Sequence, residues 1–195
     1  KYIRIAPIRE GETESFVLFA EYITVVTDPG HARIVLDKVQ SGISRNAYEY
    51  VMYALASNDP EKANLVYQFV TYGFTIGRRV TDAMQIPCVK AIFALQRRVR
   101  NEAAWFREIL RFQEVSVEPS VLLAVIEPDH RILTMIASHF ADRLNPERFM
   151  IYDKGHCEVM IHVPEQPWYI RALTVQECAQ LDVLLEQKEE YVILW

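Results

Sequence analysis

Two short polar clusters hold the side chains best suited to chemistry: Glu127-Pro128-Asp129-His130 and His139-Phe140-Ala141-Asp142-Arg143. A carboxylate beside an imidazole can pass a proton, and a guanidinium can hold an anion. Glu127, His130, His139 and Arg143 are therefore the candidates for acid/base and anion-holding roles. They make a poor metal site. His130 and His139 are nine residues apart, about half a turn out of phase on a helix, so they cannot share a face. HExxH, paired CxxC and EF-hand patterns are all absent, and no metal is expected. His139 and Arg143, four apart, do share a face. They could grip an anion or carboxylate, or form a structural ion pair with Glu127 or Asp153. Asp129 stands where a helix cap belongs.

Phosphate-binding and nucleophile motifs are missing too. The chain has no GxSxG, Walker A or GxGxxG sequence, and nothing points to a cofactor. Gly77-Arg78-Arg79 is too short for a phosphate loop, although Arg78 and Arg79 could clamp an anion.

The charge is distributed unevenly. The net charge is −5, which excludes a uniformly basic nucleic-acid binder. Between Arg78 and Arg111, eight basic residues face three acidic ones, a surplus of +5 against −10 for the remainder. On a helical wheel Lys90, Arg97, Arg100, Arg107 and Arg111 fall within an arc of about 100°, opposite Leu95, Val99 and Phe106. Such a stripe can track a phosphate backbone. It can equally be a solvated helix face, partly neutralised by Glu108. Arg78, Arg79, Arg97, Arg100, Arg107 and Arg111 are the candidate nucleic-acid contacts.

These side chains must be positioned by regular elements. β-type runs at Tyr2-Ile3-Arg4-Ile5 and Tyr22-Ile23-Thr24-Val25-Val26 flank a polar loop over 9–15. Asp28-Pro29-Gly30 opens a helix over about 31–40, Ser44 caps a second over 45–56, and Asp59-Pro60 caps a third that Gly77 breaks. Pro87 opens the longest helix, 87–112, whose Ile92, Leu95, Val99, Phe106 and Leu110 keep the 3-and-4 spacing of one buried face. The period then changes to 2. A hairpin over 113–126 turns at Glu118-Pro119-Ser120, and a helix follows over 130–143. A second hairpin turns at Lys154-Gly155, and Thr174 caps a last helix carrying Cys178, Leu181, Leu184 and Leu185. The expected fold is α+β: a helical part over about 29–112, then a ββαββα antiparallel part over about 113–195. No Gly-, Pro- or Ser-rich linker separates them, so a single core is expected.

At 195 residues, 51% hydrophobic and 24% charged, the chain can bury a sizeable core, which argues against disorder. No apolar run approaches the ~20 residues of a membrane span. Cys88, Cys157 and Cys178 are odd in number and scattered, so free thiols in a reducing cytoplasm are expected. No leader is recognisable, and the chain starts without methionine and ends on the apolar Tyr191-Val192-Ile193-Leu194-Trp195. It is expected to be part of a longer product.

One resemblance adds to this. Phe74-x-x-Gly77-Arg78-Arg79-Val80, Glu102-Ala103 and Phe106-Arg107-Glu108-x-Leu110-Arg111-Phe112-x-Glu114 resemble, in that order, a bacterial domain of unknown function described as a probable DNA metabolism protein. Ile126-Glu127-Pro128, His139-Phe140-Ala141-Asp142-Arg143 and Met150-Ile151-Tyr152-Asp153 continue the likeness. Members accompany a radical SAM protein thought to modify or repair DNA, and some are fused to a uracil-DNA glycosylase. The resemblance implies a DNA-related role and a DNA or radical SAM partner, but no catalytic residue. Three roles stand side by side: an accessory module binding nucleic acid or a repair partner, an enzyme acting on DNA or a nucleotide, and a structural adaptor.

Overall fold

In the computed structural model, residues 3–5, 21–115 and 119–192 are described. The chain divides into two compact units, Lys1–Val99 and Arg100–Trp195. Their boundary falls inside a helix, where no change of composition marks it. The expected 9–15 loop, part of the first hairpin turn (Glu118) and the terminal 193–195 lie outside the described residues, as do the side chains of Leu184, Tyr191 and Val192.

The first unit is helical: α1 (Pro29–Gly42), α2 (Arg45–Ala56), α3 (Lys62–Ile76), a 3-10 turn (Gly77–Asp82) and the first half of α4 (Pro87–Ile109). Local chemistry sets the starts. Asp28 Oδ1 accepts from the His31 N–H at 3.0 Å, and Ser44 Oγ accepts from the Ala47 N–H at 3.0 Å. Each satisfies one of the donors a helix N-terminus leaves open. Asp59 does not cap α3 itself. It holds the Glu61 N–H at 2.9 Å in the preceding turn, and the helix begins at Lys62. Gly77 ends α3 at φ +65°, a left-handed value that favours glycine. Val39, Val51, Phe69, Val80, Ile92 and Leu95 form the core, with Tyr50 stacked on Phe69. Among the described residues the expected strands at the start are not formed. Residues 3–5 and 21–28 have no strand pairing, and Ile23, Val25 and Val26 are exposed. β-propensity yields a strand only where a sheet edge can pair with it.

The second unit is α+β: the end of α4, β1 (Gln113–Val115), β2 (Val121–Ile126), α5 (Leu133–Arg143), β3 (Phe149–Asp153), β4 (Glu158–His162), β5 (Tyr169–Ala172) and α6 (Val175–Val192). The five strands lie in sequence order. The sheet departs from expectation in two ways. The sheet is mixed, because β2 and β3, joined through α5, pair in parallel, with Leu122 opposite Phe149 and Ile126 opposite Asp153. A helical crossover returns the chain to the same end of the sheet, whereas a hairpin reverses it. A fifth strand also follows the second hairpin, with Tyr169 opposite Ile161. On one face Phe112 sets its edge against Phe140 of α5 and Phe149 of β3, at 5.5 and 5.3 Å. On the other, Leu123 and Tyr152 pack with Cys178, Leu181 and Leu185 of α6. Phe149, Ile151 and Tyr152 are consequently all buried, and β3 shows no apolar–polar alternation.

Candidate functional site

The α4 helix commits one face to the interior. Ile92, Leu95, Val99, Ala103 and Phe106 are buried at 3-and-4 spacing. Lys90, Arg97 and Arg100 consequently point outward and are exposed. None of the three forms an ion pair with a described acidic residue. Arg98 does: its guanidinium reaches Asp59 at 3.5 Å.

The stripe is shorter than the wheel implied. Arg107 is half-buried and its Nε donates to the Ala103 carbonyl at 3.2 Å. The helix ends at Ile109, so Arg111 lies beyond it and the helical angle no longer places it on the stripe. Leu110 is only half-buried for the same reason. Arg78 and Arg79 are exposed on the 3-10 turn. Arg79 borders an open depression of about 650 Å³, lined also by Tyr72, Ile76, Asp82 and Gln85.

One residue on this face escaped the sequence reading. Trp105 is 54% exposed, while its ring sets an edge against Phe106 at 4.8 Å. Arg97, Asn101 and Trp105 recur every four residues and so lie along one exposed ridge. That spacing was the available signal. An aromatic face beside guanidinium groups can stack on a base while the cations meet phosphate.

A second constellation lies where the parallel strands β2 and β3 end. Glu102 of α4 reaches the loop after β2 and accepts from two backbone N–H groups, Asp129 at 2.7 Å and His130 at 3.1 Å. Asp129 therefore does not cap α5, which starts only at Leu133 with no side-chain cap. His130 is buried and Glu127 is exposed. Beside them the Lys154 N–H donates to the Ile126 carbonyl at 3.0 Å. A Cβ on Gly155 would come within 3.7 Å of both Glu127 Cγ and the Pro128 carbonyl.

This turn carries an Asp–His pair. Asp153 is fully buried, and its Oδ1 accepts from the His156 N–H at 3.1 Å while Oδ2 meets His156 Nδ1 at 2.8 Å. Burial pushes the Asp153 carboxyl above its ordinary range, and the His156 contacts oppose that shift. An ionised Asp153 requires a proton on Nδ1, and in the neutral imidazole with that tautomer Nε2 is the acceptor. Sequence reading singled out neither residue as a pair, because the link depends on the end of β3 being buried.

The four acid/base candidates do not assemble. Glu127 and His130 stand at the start of the crossover, whereas Arg143 is the last residue of α5 and exposed. An 11-residue helix spans about 16 Å, and the crossover starts and finishes at opposite ends of the strands. His139 is exposed, its ring edge-on to Phe140 at 5.0 Å. Among the described residues, no three His, Cys, Asp or Glu side chains converge as metal ligands, and no helix is long and apolar enough to cross a membrane.

No curated protein and no solved structure matches the chain. A family described as "Domain of unknown function (DUF4130)" matches over residues 60–195, which includes α3, α4 and the whole second unit. That span is more than half of the chain, and the protein belongs to the DUF4130 family.

Proposed function

We propose that the protein is an accessory component of DNA metabolism that binds nucleic acid through the exposed face of α4. The observation that carries this reading is the trio Lys90, Arg97 and Arg100: exposed cations without an acidic partner among the described residues, on a helix whose opposite face is buried. Phosphate neutralisation needs such uncommitted charges, and releases counterions when it occurs. A cation already paired, like Arg98 with Asp59, contributes less. DNA as the polymer, and a radical SAM repair protein as the partner, draw support from the sequence resemblance to a family described in those terms. The test is fluorescence anisotropy of labelled single- and double-stranded DNA with the parent and with Arg97→Gln/Arg100→Gln. Gln keeps helix propensity nearly unchanged, so folding should survive. The reading expects binding that weakens in the variant, and equal binding by both proteins would refute it.

A second reading, an enzyme acting on DNA or a nucleotide, is favoured by the Asp153–His156 pair beside Glu127. Turnover by the isolated protein that disappears in His156→Ala would move it to first place. No binding and no turnover would leave the structural adaptor.

A further inference from the structure

Two of the three cysteines lie together in the second unit. Cys157 ends the turn between β3 and β4 at φ +51°, a left-handed value uncommon for a residue with a side chain. Its carbonyl accepts from the Leu173 N–H at 2.7 Å, which anchors that backbone. Cys178 lies in the first turn of α6, where its N–H donates to the Thr174 carbonyl at 3.0 Å. Both side chains pack in one apolar cluster with Leu123, Tyr152 and Leu181. The Cys157 thiol donates a long hydrogen bond to the Lys154 carbonyl at 4.0 Å, so it is only loosely held beside the cluster it shares with Cys178 and Tyr152.

The two thiols differ in access. Cys157 is half-exposed, while Cys178 is buried at 7% exposure. One thiol can meet a reagent from solvent and the other can only react with what the first brings in. Their backbones are held from both sides. The turn is tied by the Asp153–His156 bonds, and α6 starts with a reciprocal Thr174–Glu177 capping box.

We propose that Cys157 and Cys178 are a redox modification site, which closes to an intramolecular disulfide by exchange with a small-molecule disulfide of the glutathione type. The Cys157 thiolate attacks one sulfur of the small disulfide and expels one small thiol, leaving a mixed disulfide at Cys157. The Cys178 thiolate then attacks the Cys157 sulfur and expels the second small thiol. The two protein thiols are oxidised, the small disulfide is reduced to two thiols, and the two thiol protons end on those products. The closed bond would staple α6 to the β3–β4 turn that carries His156. The Cys178 contact and partial burial hold the Cys157 thiol above its ordinary pKa. Its thiolate is therefore scarce at neutral pH, and exchange should accelerate as pH rises.

The test incubates the full chain with oxidised glutathione, alkylates the remaining thiols and maps the non-reduced digest by mass spectrometry. The expected product is a peptide linking Cys157 to Cys178, opened by dithiothreitol, with Cys88 alkylated. Cys178→Ser should stop at a stable glutathione adduct on Cys157, and Cys157→Ser should leave Cys178 unmodified, with circular dichroism reporting that each variant is folded. Accumulation of the Cys157 adduct in the parent chain with Cys178 still reduced would overturn the proposal. So would a link to Cys88, or no reaction at Cys157 across the alkaline range.

Discussion

Glu102→Ala should loosen the loop that leaves β2, and its cost can be worked from the two hydrogen bonds it removes. The carboxylate accepts from the Asp129 N–H at 2.7 Å and from the His130 N–H at 3.1 Å. Hydrogen bonds to a charged group contribute about 1.5–3 kcal/mol when shielded, and less where water replaces the partner. The Asp129 bond is exposed and the His130 bond part-buried, so about 0.5 and 1.5 kcal/mol are reasonable shares, roughly 2 kcal/mol together. At 1.4 kcal/mol per decade, local opening around His130 becomes about 30 times more frequent. Native-state hydrogen exchange at the His130 amide reads this directly, and thermal melting reads the global share. Glu102→Gln keeps one acceptor oxygen and should lose about half as much. If the His130 amide exchanges at the parent rate in Glu102→Ala, the carboxylate does not hold the loop and the reasoning fails.

Phe106→Ala should cost about 3–5 kcal/mol, read by chemical denaturation, because it removes a buried aromatic from the inner face of α4. Ser44→Ala should cost about 1 kcal/mol through loss of the cap on the Ala47 N–H, and Ser44→Gly less. Glu177 gives a pH signature. The Thr174 N–H, then Arg171 and the Thr174 hydroxyl, hold its carboxyl down at about 2, below the ordinary 4.5. A depressed folded pKa means its stabilisation is full above about pH 4.5 and is lost as pH falls toward 2. The difference in melting temperature between the parent and Glu177→Gln should therefore shrink across that window, and a constant difference would contradict the assignment.

Features governed by neighbouring residues were legible in the sequence. Asp28, Ser44 and Thr174 cap helices because a side-chain oxygen needs only the next turn. The inner face of α4 follows from spacing alone. Features that depend on a distant partner were not. Tyr22–Val26 has the composition of a strand, but no described strand pairs with it. Tyr169–Ala172 is mostly exposed and has no apolar alternation, and it is a strand because the edge of β4 is there to pair with it. The parallel pairing of β2 with β3 follows from the helix between them, which a hairpin reading of the flanking segments overlooked. The cationic face was visible, but its limits were not: Arg107 is drawn back to Ala103, and Arg111 lies past the end of the helix. Asp153 and His156 are three apart, and only the buried end of β3 turns that spacing into a pair.

The central claim is that the outer face of α4 meets a nucleic-acid backbone, and the salt dependence of DNA binding tests it most directly. Affinity would be measured across a salt series for the parent and for Lys90→Gln/Arg97→Gln/Arg100→Gln. The account predicts that log affinity falls linearly with log salt, and that the triple variant has a slope shallower by about 0.7–0.9 for each phosphate it no longer neutralises. A triple variant that binds with the parent's affinity and the parent's slope would show that this face is only solvated, and the claim would fall.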